Sequence, residues 1–219
     1  MKLTRKDSVS SLNEVSTYYD GLRSSSDDTR DRTKRYIKFN HWIIDILKVK
    51  AGKRLLDVAC GNGLLLNIAE PLGLKTYGLD ISTARVGNAI KRAPKSNIVV
   101  AAGECIPYQS NYFDYVTCLG SLEHFLNPDK GCQEIARVLK KDGISCIYVP
   151  NTFWIKHVIN AWFKGAPPSQ TQDIERFATK NEWQELFKDN GLKVVKLCKY
   201  NLTPINLSYS FTFLCKKRE

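Results

Sequence analysis

The amino-acid sequence predicts an α/β fold in which a mostly parallel sheet carries helices on both faces. Short apolar stretches with the composition of buried strands alternate with stretches of helical spacing between residues 54 and 150. Prolines fall between these stretches, where a missing N–H interrupts no hydrogen-bond ladder: Pro94, Pro107, Pro128 and Pro150. An apolar strand that runs into a glycine turn and a helix, Leu55 to Leu66, is typical of nucleotide sites in such folds.

The predicted elements follow one another in regular order. A helix over Tyr36 to Leu47 precedes the first strand, and further helices are expected at Ser82 to Arg92 and at Lys130 to Leu139. A helix-rich section from Asn151 ends at Asn190-Gly191, a typical helix stop. The expected strands are Arg54 to Ala59, Thr76 to Leu79, Asn97 to Ala101, Phe113 to Leu119, Gly143 to Val149, Leu192 to Tyr200 and Leu207 to Cys215.

Composition is that of an ordinary globular protein. The chain of 219 residues has 43% hydrophobic and 25% charged residues, which fits one domain with a sizeable core. No apolar run approaches the roughly 20 residues of a spanning helix. The stretch from Met1 to Asp7 lacks the apolar region of a signal peptide, so we expect a cytoplasmic location.

The seven cysteines are odd in number and include no Cys-x-x-Cys pair. This pattern indicates neither a disulfide framework nor a zinc site, and no metal is expected. We expect Cys60 and Cys105 to line a ligand pocket as small hydrophobic residues.

The formal charge of +11 allows three interpretations. It could reflect nucleic-acid binding, attraction to an anionic membrane or acidic substrate, or a solvated basic surface. Because the basic residues are dispersed, with short clusters only at Arg30 to Arg35 and Lys216 to Arg218, the solvated surface is favoured. No specific nucleic-acid partner is therefore expected.

The glycine turn separates cofactors that share this architecture. Gly61 and Gly63 permit a tight bend and close backbone approach, but Leu66 stands where a dinucleotide site has a third glycine. No P-loop lysine follows the turn. The next strand ends in Asp80, at a distance along the chain where a carboxylate can accept hydrogen bonds from ribose hydroxyls.

With these residues the chain resembles the class I S-adenosylmethionine (SAM) dependent methyltransferases, in the type 11 group that includes quinone and natural-product methyltransferases. The resemblance implies a Rossmann-like, seven-stranded, mostly parallel sheet with a final antiparallel strand. It also implies SAM as methyl donor and S-adenosylhomocysteine (SAH) as product. We expect a single domain over residues 1–219, with an N-terminal helical cap at 1–50 and a lid over the acceptor at 151–180.

The resemblance assigns roles to the residues of the turn. Asp57 would bind the methionine ammonium, Asp80 the ribose, and Ile81 would pack on the adenine face. Backbone groups presented to the methionine portion would come from Ala59, Gly61 and Gly63.

A further segment, Ala101 to Tyr108, resembles the family pattern Gly-Asp-Ala-Glu-x-Leu-Pro-Phe, in which the Asp binds the adenine amino group. Ala102 stands at that Asp position, which leaves adenine recognition open. Glu104 or a bound water is the candidate substitute, and the N–H of Gly103 can still contact the ring. The alternative for Glu104 is a solvated loop charge.

The segment after the fourth strand should border the transferred methyl group, because ligands bind at the carboxyl ends of strands in open α/β sheets. Leu119 and Gly120 are expected to give backbone contacts to methionine. Glu123 and His124 resemble the Leu-Glu-His of small-molecule methyltransferases, and His124 is the first candidate general base. A helix-capping histidine is the alternative.

Other candidate residues lie outside this segment. His157 is the second candidate base, Trp154 belongs to an aromatic lid, and Arg176 could neutralise an acidic substrate. Tyr18 and Tyr19 match a family habit in which an N-terminal helix closes over the cofactor. The lid aromatics allow an acceptor pocket, peripheral lipid contact or plain core packing.

The expected function is methyl transfer from SAM to an oxygen or nitrogen of a small molecule. Carbon methylation of a prenylated quinone or related lipid is the alternative within enzymes, and a non-catalytic SAM-binding interaction protein is the alternative outside them. Methylation of nucleic-acid bases is less favoured, because Ser121-Leu-Glu-His124 replaces the Asn/Asp-Pro-Pro-Tyr/Phe type of motif that grips a flipped base.

Overall fold

A computed structural model describes residues 11–21, 30–152, 176–200 and 209–218 of the chain. Within these ranges a single sheet of seven strands has the order β3-β2-β1-β4-β5-β7-β6. The strands β1 to β5 are parallel, and β7 runs antiparallel to both of its neighbours. The strands are β1 (Arg54–Val58), β2 (Lys75–Asp80), β3 (Asn97–Val100), β4 (Phe113–Leu119), β5 (Leu139–Pro150), β6 (Leu192–Cys198) and β7 (Ser210–Lys217). The predicted sheet, including its antiparallel strand, is confirmed.

Helices connect the strands and precede the sheet. They are α1 (Leu12–Gly21), α2 (Arg30–Leu47), α3 (Leu64–Ala69), α4 (Thr83–Arg92), α5 (Pro128–Val138) and α6 (Lys180–Asp189). Two short 3-10 helices, Glu70–Leu72 and Leu122–His124, lie after α3 and between β4 and α5.

Side-chain caps set the helix starts. The Ser82 hydroxyl accepts from the Arg85 N–H at 3.2 Å at the start of α4, and Asn127 accepts from the Lys130 N–H at 3.0 Å at the start of α5. These bonds satisfy amide donors that a helix leaves unpaired. Two predicted starts are wrong. Leu139 has extended backbone and pairs with Phe113, so β5 begins there instead of at Gly143. Helix α2 begins at Arg30 instead of at Tyr36.

The core lies on both faces of the sheet. Adjacent residues of a strand point to opposite faces, and Leu56 belongs to a buried cluster with Trp183 whereas Leu55 belongs to one with Ile43. Helices α5 and α6 therefore cover one face, and α2 and α3 cover the other.

The strand order reverses between β1 and β4, since β2 and β3 lie on one side of β1 and β5 on the side of β4. Such a reversal leaves a crevice at the carboxyl ends of the strands where α/β proteins bind ligands. None of the described helices is long and apolar enough to cross a membrane.

Candidate active site

The turn after β1 is built from left-handed backbone. Ala59, Gly61 and Gly63 have φ of 57°, 53° and 74°. The Gly61 N–H donates to Asp80 Oδ2 at 2.8 Å, and the Ser82 N–H donates to Asp80 Oδ1 at 2.9 Å. The carboxylate of Asp80 thereby joins the turn after β1 to the end of β2.

The two glycines of this turn have different surroundings. A Cβ on Gly61 would meet nothing within 4 Å, whereas a Cβ on Gly63 would lie 3.0 Å from Ala89 in α4. Gly63 therefore serves close packing of α3 against α4, and its expected backbone contact with methionine stays a prediction. Gly61 leaves its space open at the crevice.

Leu66 has a partner that compensates for the missing third glycine. A Cβ on Gly78 of β2 would lie 2.6 Å from the Leu66 Cδ1 atom and 3.0 Å from the Cys60 sulfur. The small residue that a dinucleotide site places on the helix is thus placed on the neighbouring strand. The helix still packs closely on the sheet, but here the large residue is on the helix and the glycine is on the strand.

Asp57 lies at the end of β1 and is buried. The Thr117 hydroxyl donates to its Oδ1 atom at 2.6 Å. Burial raises the pKa of Asp57 to about 7, against the lowering effect of the Thr117 hydrogen bond and with a further rise from the charge of Asp80. A ligand cation beside this carboxylate would favour its charged form.

A pocket of about 590 Å³, part of it open to solvent, lies over the carboxyl ends of β1, β2 and β4. It is lined by Leu12, Val15, Tyr19, Ala59, Leu79, Asp80, Ile81, Arg85, Ala101, Ala102, Gly103, Glu104, Gly120, Ser121, His124 and Phe125. Strand ends and loops far apart in sequence therefore converge on one concave surface.

Glu104 is not a solvated loop charge. Its side chain is buried, and its Oε1 atom accepts from the Leu126 N–H at 2.8 Å and the Asn127 N–H at 3.4 Å. Burial raises the pKa of Glu104, opposed by backbone hydrogen bonds and by the charge of Arg176. Cys105, expected in the pocket, is exposed instead, because the turn carries its side chain outward. Cys60 is buried, but it is absent from the pocket lining.

His124 lies in the pocket wall at the end of its 3-10 helix. Its Nε2 atom is 3.8 Å from Glu123 Oε1, and both side chains are largely buried. The imidazole ring centre is 6.4 Å from that of Tyr19, in an edge-to-face arrangement. The structure therefore brings together the candidate base, a carboxylate and an aromatic ring of α1.

Helix α1 lies over the pocket and is hydrogen-bonded to the residues between β2 and α4. Ser16 donates to the Ile81 carbonyl at 2.9 Å, and Ser82 donates to Asp20 Oδ1 at 2.5 Å. The Arg85 guanidinium lies 4.9 Å from the centre of the Tyr19 ring. Burial raises the pKa of Tyr19. The expected placement of the N-terminal helix over the site is observed, and substrate contact by Tyr18 and Tyr19 stays a prediction.

Arg176 has a different position from the one expected. It is only 4% exposed, and its guanidinium donates to the carbonyls of Glu123, Phe125 and Leu126. The guanidinium that was expected to face an acidic substrate is instead hydrogen-bonded to these backbone carbonyls. Trp154 and His157 lie outside the described residues.

Sequence reasoning missed three polar residues of this region: Asp20, Arg85 and Thr117. A signal existed for Thr117, a hydroxyl within the apolar strand β4 that pairs in register with Asp57. No comparable signal existed for Asp20, which accepts from the Ala84 N–H of α4 at 3.2 Å from far along the chain.

Taken by themselves, fold and site define the class of α/β proteins that have a ligand pocket at the strand-order switch point, here with carboxylates suited to a positive charge. Comparison with known proteins narrows this class. Residues 56–147 match the family model described as a methyltransferase domain.

One named relative agrees with this match, and two further similarities cover much of the chain. The ubiquinone biosynthesis O-methyltransferase of Cupriavidus pinatubonensis is 28% identical over 178 residues, which cover 77% of this chain and 72% of that protein. An uncharacterised protein of Methanocaldococcus jannaschii is 32% identical over 152 residues, 69% of this chain and 57% of that protein. Among solved structures, magnesium protoporphyrin IX methyltransferase from Synechocystis with bound SAH has a TM-score of 0.72 and 15% identity, covering 94% of this chain and 100% of that chain.

The chain belongs to the class I SAM-dependent methyltransferases. Its cofactor is SAM, and its fold is the Rossmann-like sheet of that class. The residues present fit this cofactor, because buried carboxylates at Asp57 and Asp80 suit a cationic ligand and the space beside Gly61 is open.

Proposed function

We propose that this methyltransferase methylates an oxygen or nitrogen atom of a small-molecule acceptor, with His124 as general base. The observation that carries the proposal is the position of His124 in the pocket wall, next to the strand end that carries Gly120 and Ser121. An acceptor hydroxyl or ammonium must lose a proton during methyl transfer, and histidine suits that exchange near neutral pH.

Each residue has a physical task in this scheme. SAM, when bound, supplies a methyl group on a positively charged sulfur. The carboxylates of Asp57 and Asp80 hold the cationic end and the ribose, and the turn at Gly61 admits the methionine portion. The imidazole of His124 takes the acceptor proton, and Glu123, 3.8 Å away, stabilises the imidazolium that results. Positioning of acceptor and cofactor supplies much of the rate.

The names of relatives support oxygen as the acceptor atom. The similar proteins of Cupriavidus and Azoarcus are called ubiquinone biosynthesis O-methyltransferases, at 28% identity. A phenolic hydroxyl on a small aromatic molecule is therefore the acceptor group that we favour over an amine. The dispersed basic charge gives no support to a nucleic-acid acceptor.

The test uses SAM with a tritiated methyl group and three probes: protocatechuate, benzylamine and a reduced short-chain prenyl benzoquinone. We expect label on the phenolic oxygen. His124→Ala should lower turnover about 10²-fold while the SAH dissociation constant from calorimetry is retained. His41→Ala is the matched control, because His41 is exposed on α2, and it should leave turnover unchanged.

Equal turnover of His124→Ala and the parent protein would remove the general-base role. Label on ring carbon of the prenylated probe would move the assignment to carbon methylation. Binding of SAH without transfer to any probe would favour the non-catalytic alternative. The single-domain organisation, the lid at 151–180 and the cytoplasmic location stay predictions.

A further inference from the structure

The loop that presents His124 has little regular structure of its own. Gly120 leaves β4 with φ of 67°, the 3-10 helix has a single turn, and Phe125 is already extended before α5 begins. Within the loop, the His124 N–H donates to the Ser121 carbonyl at 2.9 Å. One such turn holds a side chain poorly, because 3-10 helices have weak hydrogen-bond geometry.

A buried guanidinium holds this loop from one side. Arg176 donates to the carbonyls of Glu123 at 3.1 Å and Leu126 at 3.2 Å, and also to that of Phe125. The Arg176 N–H adds a further bond to the Glu123 carbonyl at 3.2 Å. Burying a charge is costly unless it is hydrogen-bonded. These carbonyls flank His124 on both sides along the chain.

A buried carboxylate holds the same loop through its donors. Glu104 is 6% exposed and accepts from the N–H groups of Leu126 and Asn127. The carbonyls of the loop thus accept hydrogen bonds from the Arg176 cation, and its amide N–H groups donate to the Glu104 carboxylate. The two charges also attract each other, since Arg176 lowers the pKa of Glu104 against the effect of burial.

The ring of Phe125 fixes the loop by shape. A Cβ on Gly103 would lie 2.2 Å from the Phe125 ring, and a Cβ on Gly131 would lie 2.4 Å from it. The ring therefore occupies a slot between two glycines that no larger residue could line. With both neighbours of His124 held by bonds and shape, its backbone has few alternative positions.

We propose that Glu104 and Arg176 are positioning residues that hold the His124 loop from two sides and so fix the imidazole at the pocket wall. We call Glu104 and Arg176, with their hydrogen bonds to the loop, the clamp. The inference rests on the proposed role of His124, but the clamp itself is independent of that role. Neither residue needs to touch the acceptor. Glu104 belongs to the loop after β3 that was expected to contact adenine, and Arg176 begins the described segment 176–200. The pair therefore connects these two segments.

The test follows the NMR resonance of the His124 ring and needs no methyl acceptor. The chain has 3 histidines, so ring-labelled protein gives few resonances, which His41→Ala and His124→Ala assign. Arg176→Lys keeps the charge but loses the planar fork. We expect the His124 resonance to move and amides 121–127 to exchange faster by mass spectrometry, with SAH affinity within about twofold of the parent, a change of about 0.4 kcal/mol.

Arg137→Lys is the matched control. Arg137 also donates to backbone carbonyls, those of Ile106 at 2.9 Å and Tyr108 at 2.7 Å, which lie outside the pocket lining. This variant should leave the His124 resonance in place and raise exchange only near residues 106–112. A change at His124 of equal size in both variants would mean general destabilisation and would overturn the proposal.

A second pair of variants covers failure of Arg176→Lys to fold. Glu104→Leu removes the acceptor for two loop amides and should move the His124 resonance, whereas Glu104→Gln restores an accepting oxygen and should return it towards the parent position. With protocatechuate, Arg176→Lys should lower kcat about tenfold or more at nearly unchanged KM for SAM, and Glu104→Leu should lower kcat by a similar factor.

An unmoved His124 resonance in Arg176→Lys and Glu104→Leu would show that the clamp does not position His124. If instead the resonance moves but His124→Ala keeps full turnover, the clamp stands and the proposed general-base role fails.

Discussion

The turn after β1 and the loop after β4 border the same pocket but are built in opposite ways. The turn obtains its shape from backbone conformation, with positive φ at Ala59, Gly61 and Gly63, and a single carboxylate, Asp80, completes it. The loop obtains its shape from side chains that reach it from elsewhere. Glu104 lies 22 residues before Leu126, and Arg176 lies 50 residues after it.

This difference separates two kinds of structural information. A left-handed turn demands glycine at particular positions, so the sequence carries a visible pattern. A loop held by remote charged groups demands only that donors and acceptors meet in space. The cofactor side is therefore open to recognition from the sequence, while the side that carries the candidate base depends on contacts across the fold.

Gly61→Val should have the largest effect on the cofactor turn. Valine is strained at φ of 53°, and its branch would fill the open space expected for methionine, so SAH affinity should fall about 10²-fold or more, the equivalent of about 2.8 kcal/mol. Gly52→Val is the matched control, because Gly52 has φ of 77° and equally open space but lies before β1.

Both variants should lose about 1 to 2 kcal/mol of stability from the left-handed backbone. Calorimetry with SAH separates them, since only Gly61→Val should lose binding. Equal affinities of the two variants would place the methionine portion away from Gly61.

Asp80→Ala should weaken SAM binding about tenfold or more, because charge-assisted hydrogen bonds contribute about 1.5 to 3 kcal/mol each. The comparison variant is Asp114→Ala. Asp114 also accepts from a backbone amide, that of Arg54 at 2.9 Å, but it lies at the amino end of β4. Asp114→Ala should lower the melting temperature without changing affinity. Unchanged affinity in Asp80→Ala would exclude this carboxylate from cofactor binding.

The pH dependence of binding should show a smaller effect, centred on Asp57. Its pKa of about 7 means that the carboxyl is protonated in mildly acidic solution, whereas the cationic end of the cofactor favours the charged form. SAH affinity should rise as pH increases towards about 7 and then level off, by at most about tenfold per pH unit.

The same shift has a defined sign for stability. The pKa of Asp57 is raised in the folded protein from 3.8 to about 7, so the folded state binds this proton more tightly than the unfolded state. Its contribution to the free energy of unfolding therefore decreases as pH rises through that window. Asp57→Asn should remove both dependences, and Thr117→Val should move the binding midpoint upward. A flat pH profile in the parent protein would refute the shift.

Several features could be predicted because they depend on local demands. The order of strands and helices followed from alternation of apolar and amphipathic stretches, and the ending of α6 followed from Asn190-Gly191, where Gly191 has φ of 82°. The antiparallel strand came from the family resemblance. The start of β5 was predicted too late, since the pairing of Leu139 with Phe113 is a contact between strands.

Other features could not be predicted because they depend on remote partners. Cys105 is one residue from Glu104, yet one side chain is exposed and the other is buried. Leu66 looked like a departure from a glycine pattern, and only its contact with Gly78 explains how the helix still packs closely. Arg176 looked available for a substrate, but three carbonyls of a distant loop surround it.

The sequence by itself determined the class of fold, the turn at Gly61 and the carboxylate at Asp80, because backbone strain and strand-end position restrict which residues can stand there. Only the tertiary structure decided which charged groups would border the pocket and which would be used to hold it. Hydrogen bonds from Glu104 and Arg176 to one loop form between segments that the sheet brings together, and residue type alone does not encode that proximity.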